Sequence, residues 1–446
     1  MTLADTVRAQ QPRVRTDLEA LVGIPSVSAD PARAGEVRRS AESVAGLLRE
    51  LGCPDVQVVR GGEGQPAVIA RFPAPEGQPT VCLYAHHDVQ PPGDAALWSS
   101  PPFTATERDG RLFGRGAADD KGGLAVHLAA LRAFGGRPPV GVTVFVEGEE
   151  EIGSPTLARL LDEHRAALAA DVFVITDSAN WAVGQPAFTT SLRGLADCVV
   201  ELRTLDHAVH SGSYGGVVPD ALTSLCRLLA TLHDEHGDVA VAGLASAAPP
   251  ELDYPEERLR AESGLLDGVQ QIGSGSVVER LWCKPAIAVI ALDATPVDQA
   301  SNTLAPVARA KVSLRVAPGD GAAAALQKLV EHLLAHAPWG AQVEVIGGDT
   351  GEPSTIAFAG PWAEAARRAF SSAWGVEPVF IGQGGSIPMV AEFSAAFPDA
   401  TVLVTAVGDP DTRAHGADES LHLGDFEAAC VAETLLLQEI ADVAAA

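Results

Sequence analysis

The feature that most constrains the fold is an alternation of short β-type runs with helical segments. The β-type runs include TVCLYAHHDV, VGVTVFVEG and DVFVITD, and apolar residues recur at helical spacing up to about Val22 and from Gly35 to Leu51. Strands that alternate with helices predict an α/β sheet containing parallel strands. Ligand sites in such sheets form beyond the carboxyl ends of the strands. Polar residues that directly follow these runs are therefore candidates for chemistry.

The pattern changes near Pro186 and returns after Gly351. Between these points, runs such as ADCVVELRTLDHAV and ARAKVSLRV alternate like half-exposed strands around helical segments. A chain of 446 residues is also too long for one ordinary hydrophobic core. We therefore predict a discontinuous α/β domain, residues 1–186 and 350–446, and an inserted domain, residues 187–349.

Charge and cysteine usage exclude several classes of protein. A formal net charge of -27 argues against nucleic acid and anionic membranes as partners, because both are bound through clusters of Lys and Arg. The six cysteines are scattered without a CxxC pair, so neither a zinc knuckle nor a disulfide framework is expected. Neither a signal peptide nor a run of membrane-spanning length is apparent, and we expect a cytoplasmic location.

His86 and Asp88 end the run TVCLYAHHD. Residues two apart on a strand point to the same face, and a carboxylate beside a metal-bound histidine commonly orients its ring. This pair therefore fits a metal ligand with its orienting carboxylate. Taken alone, a surface His and Asp at a loop would be the simpler interpretation.

Two acidic motifs follow further along the chain. Asp119 lies in the glycine-rich segment GRGAADDKGG, where a carboxylate can bridge two cations, and two aspartates disfavour a phosphate cradle. Glu150 and Glu151 lie in EGEEEIGS after a β-type run, and carboxylates crowded together repel each other unless cations neutralise them. One can bind a metal while its neighbour acts as general base. Taken alone, the first motif could equally be a solvent-exposed turn, and the second would be more simply interpreted as a solvent-exposed charged surface.

Asp177 ends DVFVITD, and His415 lies in a loop after TVLVTAV. A lone Asp or His is usually structural, so the weight rests on the whole set. Imidazole and carboxylate ligands without cysteine suit Zn²⁺, Mn²⁺ or Co²⁺. Five such ligands, one of them shared, would fill two metal sites and leave room for a bridging water.

Together these motifs resemble those of the metallopeptidases of clan MH, family 20, which include carnosinase and other dipeptidases, aminoacylase, glutamate carboxypeptidase and succinyl-diaminopimelate desuccinylase. The resemblance runs nearly end to end, from IPSVS to the C-terminal His motif. It implies a phosphorylase/hydrolase-like three-layer α/β/α catalytic domain with an inserted α+β ferredoxin-like lid and dimerisation domain. It also implies one metal ligated by His86 and Asp177, a second by Glu151 and His415, and a bridging Asp119 followed by a cis peptide.

The resemblance implies roles for other residues as well. Glu150 would be the general base, Asp88 would orient His86, and His210 in HSGSYGG would stabilise the oxyanion, often in a partner subunit's active site. Without the resemblance, His210 would be an ordinary loop histidine and Arg315 a charge on a strand surface. Arg315 could pair with a substrate carboxylate through two hydrogen bonds. The residues implied to contact substrate are Asn302, Arg315, Gly385 and Ser386.

One segment departs from the family pattern. Dipeptidase relatives commonly carry an Arg, often followed by an acidic residue, before the GGSIP loop, which binds the C-terminal end of the substrate. Gly382 and Gln383 occupy those places here. The nature of the group bound there is therefore open, and a peptide without the usual terminal interaction or an unusual acyl group would be compatible.

The resulting hypothesis is a dinuclear metal-dependent hydrolase that cleaves the amide bond of dipeptides or small peptides, using a metal-bridged hydroxide and a Glu general base. We expect two divalent ions per subunit, Zn²⁺ first with Mn²⁺ or Co²⁺ as alternatives, and a homodimer formed through the inserted domain. The alternatives are an N-acyl-amino-acid deacylase or carboxypeptidase of the same family, and a non-catalytic binding homologue. The last alternative predicts loss of a metal ligand or of the general base, and none is missing.

Overall fold

The computed structural model describes residues 2–385 and 388–445, and the chain divides into two compact units. The first comprises Met1–Thr190, Ile356–Ile381 and Ile387–Ala446, and the second comprises Ser191–Thr355 and Gly382–Ser386. The predicted boundaries at 186 and 349 each fall a few residues before the observed ones. The return of a short segment after Ile381 to the second unit was not predicted.

The described residues form both strands and helices. The strands are β1 Asp55–Val59, β2 Ala67–Phe72, β3 Thr80–His86, β4 Thr106–Arg108, β5 Arg111–Phe113, β6 Gly141–Glu147, β7 Val172–Ile175, β8 Ala187–Leu192, β9 Gly194–Arg203, β10 Val209–His210, β11 Ala286–Asp293, β12 Thr303–Leu304, β13 Val307–Val316, β14 Gln342–Gly351, β15 Ser354–Thr355, β16 Val379–Gln383, β17 Thr401–Val404 and β18 Ser420–His422. The helices are α1 Leu3–Val22, α2 Ala34–Glu50, α3 Lys121–Ala133, α4 Leu157–Glu163, α5 Arg165–Leu168, α6 Ser211–Tyr214, α7 Ala221–Ala230, α8 Glu256–Ser263, α9 Ala322–Ala335, α10 Pro361–Trp374, α11 Pro388–Ala396 and α12 Leu423–Ala444.

The first unit is built on a mixed sheet with strand order β1-β2-β6-β3-β7-β17-β8. Its centre, β6-β3-β7-β17, is parallel, so the carboxyl ends of these four strands lie along the same edge. Nearly every residue of β3, β6 and β7 is buried, whichever face its side chain points to. Both faces of the sheet are therefore covered, as in parallel sheets generally. The predicted α/β fold is confirmed.

The second unit contains a four-stranded antiparallel sheet in the order β11-β13-β9-β14. Along the chain its elements run β9-α7-β11-β13-α9-β14, with shorter elements between them, which is the βαββαβ order of a ferredoxin-like fold. Leu225 and Leu228 of α7 and Leu329 and Leu333 of α9 share one buried apolar cluster with residues of the sheet. The helices therefore cover one face of the sheet.

Two further observations bear on the class of protein. No helix in the described part of the chain is both long and apolar enough to cross a membrane. All six cysteines are free, and five of them are buried, where a free thiol packs as a small apolar side chain. A cytoplasmic location stays a prediction.

Candidate active site

The predicted ligands of the first unit gather beyond the carboxyl ends of its parallel strands. His86 is the last residue of β3, and Asp177 lies two residues after the end of β7. Glu150 and Glu151 follow β6, His415 lies in the loop between β17 and β18, and Asp119 lies between β5 and α3. The structure thus brings together side chains that are far apart in the sequence.

Asp119 stands between the two histidines. Its Oδ1 lies 3.1 Å from Nε2 of His86, and its Oδ2 lies 3.1 Å from Nε2 of His415. The same His415 nitrogen lies 3.1 Å from Oε2 of Glu151. The peptide between Asp119 and Asp120 is cis, as the resemblance implies. One carboxylate therefore faces two separate imidazoles, the arrangement expected of a ligand shared by two metal ions.

Two overlapping groups of side chains have metal-ligand spacing. Ligand atoms of His86, Asp119 and Glu151 all lie within 4.8 Å of one another, and so do those of His86, Glu150 and Asp177. Glu150, predicted as a base rather than a ligand, therefore lies as close to His86 and Asp177 as a ligand would. The donor set is imidazole and carboxylate, which suits Zn²⁺, Mn²⁺ or Co²⁺.

The electrostatics of this cluster favour bound cations. Burial is the main cause that raises the pKa of Asp177 to about 7; the charges of His86 and His415 oppose this rise, and those of Asp119 and Glu151 add to it. Burial and the charge of Asp177 likewise raise the pKa of Glu150 well above its ordinary value. Four carboxylates share the site with two histidines, so negative charge is in excess. The residues present therefore fit divalent cations, which would relieve this repulsion.

Asp88 links two of the candidate ligands. Its Oδ1 lies 3.4 Å from Nδ1 of His86, and its Oδ2 accepts a hydrogen bond of 3.1 Å from the backbone N–H of Glu151. Burial acts to raise the pKa of Asp88, but the contact with His86, together with Ser28 and His87, lowers it overall. An ionised carboxylate at this position can orient the His86 ring.

Three residues near the ligands were not predicted. Glu419 accepts hydrogen bonds from the backbone N–H groups of Asp119, Ala118 and Gly116 at 3.0–3.1 Å, and from Arg115 Nη1 at 2.6 Å. Arg115 also donates to the carbonyl of Gly416, which follows His415. Glu419 and Arg115 therefore tie the loop of the bridging carboxylate to the loop of His415.

The third unpredicted residue is Gln90. Its side-chain amide donates to Oε2 of Glu151 at 2.8 Å, and its backbone N–H donates to Oε1 at 3.0 Å. Both oxygens of the Glu151 carboxylate are thereby held in place. Arg115 lies inside a motif already singled out, but no spacing rule connects Glu419 or Gln90 with the carboxylates that they hold.

The predicted substrate contacts belong to the second unit. His210 on β10 pairs with Thr303 on β12, and the next residue, Ser211, donates its N–H to the carbonyl of Asn302 at 2.9 Å. His210 and Asn302 are thus brought together, and both are exposed. Arg315 is half-buried on β13.

The GGSIP loop is described only in part. A side chain built at Gly385 would meet open space, whereas one at Gly382 would lie 2.6 Å from Cβ of Trp282. Ser386 lies outside the described residues.

Comparison with known proteins agrees with this geometry. The model of peptidase family M20/M25/M40 matches residues 82–439. The chain belongs to this family. It is 36% identical over 432 residues, covering 95% of both chains, to the cysteinylglycine-S-conjugate dipeptidase of Corynebacterium striatum. It is 29% identical to the β-Ala-His dipeptidase of Rattus norvegicus, covering 90% of this chain and 87% of that protein.

Solved structures of family members share the fold. Human carnosine dipeptidase 1 superposes with a TM-score of 0.83 at 25% identity, covering 99% of this chain and 98% of the other. The dipeptidase Dug1p from Saccharomyces cerevisiae gives the same TM-score and coverage at 24% identity. This M20 chain is therefore a metallopeptidase with the three-dimensional fold of its family.

Proposed function

We propose that this M20 chain hydrolyses the amide bond of dipeptides or other small peptides. The observation that carries the proposal is the Asp119 carboxylate, which faces His86 with one oxygen and His415 with the other. Relatives that align over nearly the whole chain are named as dipeptidases, which supports dipeptides as the substrate class.

The proposed metal sites divide the ligands into two sets. His86 and Asp177 would hold one divalent ion, Glu151 and His415 the other, and Asp119 would be shared. Zn²⁺ is the first expectation, with Mn²⁺ or Co²⁺ as alternatives. When bound, such ions lower the pKa of water and polarise a carbonyl oxygen.

The proposed base is Glu150. The residue is half-buried, and its pKa lies well above the ordinary value because of loss of water around the carboxylate and the nearby Asp177 charge. A raised pKa makes a carboxylate a better proton acceptor near neutral pH. Glu150 would take the proton of the attacking water and return it to the nitrogen of the leaving amine. Asp88 would keep the His86 ring oriented.

The proposed role of the second unit is that of lid and dimerisation domain. His210 would donate a hydrogen bond to the developing oxyanion, with Asn302 beside it. The dimer is supported by β11, an edge strand whose Val289 and Ile290 are 45% and 56% exposed. Exposed apolar edge strands pair readily with another chain.

The experiment that tests this function replaces Glu150 by Gln. We expect kcat for a dipeptide to fall about a hundredfold to ten-thousandfold, while the metal content measured by elemental analysis stays unchanged. The control is Glu76→Gln, which alters an exposed carboxylate in a loop. Full activity of the Glu150→Gln protein would show that Glu150 is not the general base.

The substrate class needs a separate experiment. Metal-free protein is loaded with each metal in turn and assayed on dipeptides, tripeptides and N-acetyl amino acids. We expect dipeptides to give the highest kcat/KM. Preference for N-acetyl amino acids or for longer peptides would instead identify a deacylase or a carboxypeptidase of the same family.

A further inference from the structure

Gln90 contacts the candidate metal ligand Glu151 at three of its atoms. The backbone N–H of Gln90 donates to Oε1 of Glu151 at 3.0 Å, and its side-chain amide donates to Oε2 at 2.8 Å and to the backbone carbonyl at 3.1 Å. The backbone N–H of Glu151 in turn donates to Asp88 at 3.1 Å. The backbone groups and both carboxylate oxygens of Glu151 are therefore held by one short segment, residues 88–90.

The backbone of Gln90 has little freedom of its own. The preceding residue, Val89, is buried, forms a parallel bridge with Val27 and donates its N–H to the carbonyl of Ser26 at 3.0 Å. The following residue is Pro91, and a residue that precedes proline is restricted largely to extended conformations. The N–H donor of Gln90 is therefore fixed in direction before any metal binds.

The hydrogen bonds of Gln90 act on one of the two proposed metal sites. Oε2 of Glu151, which accepts the Gln90 amide, is also the oxygen that lies 3.1 Å from Nε2 of His415. No hydrogen bond found among the described residues joins the Gln90 side chain to His86 or Asp177, the ligands proposed for the other ion. An effect of this side chain on metal binding is therefore expected at the site of Glu151 and His415.

We propose that Gln90 is a positioning residue that sets the affinity of the Glu151–His415 metal site and leaves the other metal site unaffected. A flexible glutamate side chain loses rotamer freedom when it binds a metal. Because Gln90 already holds both carboxylate oxygens, less of this freedom remains to be lost. Groups that orient a metal ligand in this way raise its affinity for the metal. The inference rests on the proposed function, to which the two metal sites belong.

The test compares Zn²⁺ binding by the wild-type protein and by Gln90→Leu. Leucine is of similar size but has no donor, while the backbone N–H remains. By chelator competition, we expect the affinity for one of two Zn²⁺ ions to fall about tenfold to a hundredfold and the affinity for the other to stay unchanged. Gln57→Leu is the matched control, because Gln57 is exposed and its amide donates to Asp55 at 3.0 Å. Unchanged affinity for both ions in Gln90→Leu would overturn the proposal.

Two further variants identify the site that is affected. His415→Ala removes a ligand of one proposed ion, and Asp177→Asn weakens the site of the other. Added to Asp177→Asn, Gln90→Leu should weaken the remaining Zn²⁺ ion by the same factor as in the wild-type background. Added to His415→Ala, it should have no further effect. Weakening of the remaining ion in the His415→Ala background would show a general structural defect and overturn the proposal.

A second substitution and a wild-type measurement keep the proposal testable if Gln90→Leu folds poorly. Gln90→Met keeps an unbranched side chain, and it should cause the same loss at one site only; no loss would overturn the proposal. In a crystal structure of the Zn²⁺-loaded wild-type protein, the Gln90 amide should lie within hydrogen-bond distance of Oε2 of Glu151. An amide turned away from Glu151 would overturn the proposal without any variant.

Metal binding and peptide hydrolysis together separate this inference from the proposed function. If Gln90→Leu loses affinity at one Zn²⁺ site but the wild-type protein cleaves no peptide, the peptidase proposal fails and the role of Gln90 stands. If peptides are cleaved and Gln90→Leu binds both ions as the wild type does, the role of Gln90 fails and the peptidase proposal stands. A wild-type protein that neither binds Zn²⁺ nor cleaves peptides in its presence would overturn both.

Discussion

The bridging carboxylate is held in place by a residue distant in the sequence. Glu419 is fully buried. One of its carboxylate oxygens accepts hydrogen bonds from the backbone N–H groups of Asp119 and Ala118. The other oxygen accepts hydrogen bonds from the backbone N–H of Gly116 and from the Arg115 side chain. Groups that orient a metal ligand are often nearly as important for affinity as the ligand itself. The position of Asp119 therefore depends on a charge that is not one of the proposed metal ligands.

Glu419→Gln should weaken metal binding while every ligand stays present. The amide keeps the size of the side chain but removes the negative charge that Arg115 and three N–H groups require. We expect metal affinity, measured by chelator competition, to fall about tenfold to a hundredfold. Glu427→Gln is the control, because Glu427 is an exposed partner of Arg8. Unchanged metal affinity would show that the Asp119 loop holds its conformation without Glu419.

At the scale of elements, the candidate ligands lie beyond the carboxyl ends of the parallel strands. A buried His–Glu pair joins one of these strands to two helices. Nδ1 of His127 on α3 lies 2.8 Å from a carboxylate oxygen of Glu433 on α12. Its Nε2 lies 2.9 Å from the carbonyl of Tyr84, two residues before His86 on β3. Both ring nitrogens thus face oxygen acceptors, and two helices are joined to the strand that carries a metal ligand.

Removing both members of this pair should lower the free energy of unfolding by less than the sum of the two single removals. Glu433→Leu leaves the His127 ring buried without its carboxylate, and we expect a loss of about 3–5 kcal/mol in the free energy of unfolding. The double variant with His127→Leu should be less destabilised than the sum of the single variants by about 0.5–3 kcal/mol. Chemical denaturation provides the measurement. Glu439→Leu, on the solvent side of α12, should cost no more than about 1 kcal/mol, and strict additivity would contradict the coupling.

The strand-end pattern made the candidate ligands predictable, because apolar β-type runs and the polar residues after them are local features of the sequence. In the acidic run after β6, the sequence does not determine which glutamate takes which role. Glu149 lies beside the predicted base, yet its carboxylate accepts hydrogen bonds from Gln65 and Thr156 and serves local structure. Which of these glutamates faces the candidate metal ligands depends on the backbone conformation of the turn that carries them. Glu419, which holds the Asp119 backbone, lies 300 residues away in the sequence, a contact that no local pattern encodes.

At the scale of the whole molecule, the family fold and the proposed dimer raise the question of which subunit supplies His210. The side chain is exposed on the second unit, next to Asn302, and its ring makes only a local hydrogen bond with Gly212 N–H among the described contacts. An exposed histidine of this kind is free to serve another subunit. In a homodimer with two-fold symmetry, each His210 would then complete the metal centre of its partner.

Mixing two inactive variants tests this arrangement. His210→Ala lacks the oxyanion donor, and Glu150→Gln lacks the base. If His210 acts in the partner's site, a mixed dimer has one site with both defects and one with neither. A mixture of equal amounts that exchanges subunits freely should recover about a quarter of wild-type activity. If His210 acts within its own subunit, every site in the mixture keeps one defect and the activity stays at the level of the single variants.

The edge strand β11 supplies the control for this experiment. Val289→Lys places a charge on the exposed apolar edge, and charged side chains on an edge strand oppose pairing with another chain. Introduced into both inactive variants, it should shift the particle mass measured by light scattering from dimer to monomer and abolish the recovered activity. Val269→Lys alters a residue of similar exposure outside the sheet and should leave both readouts unchanged. Recovery of activity by monomeric protein would contradict an active site completed across the dimer.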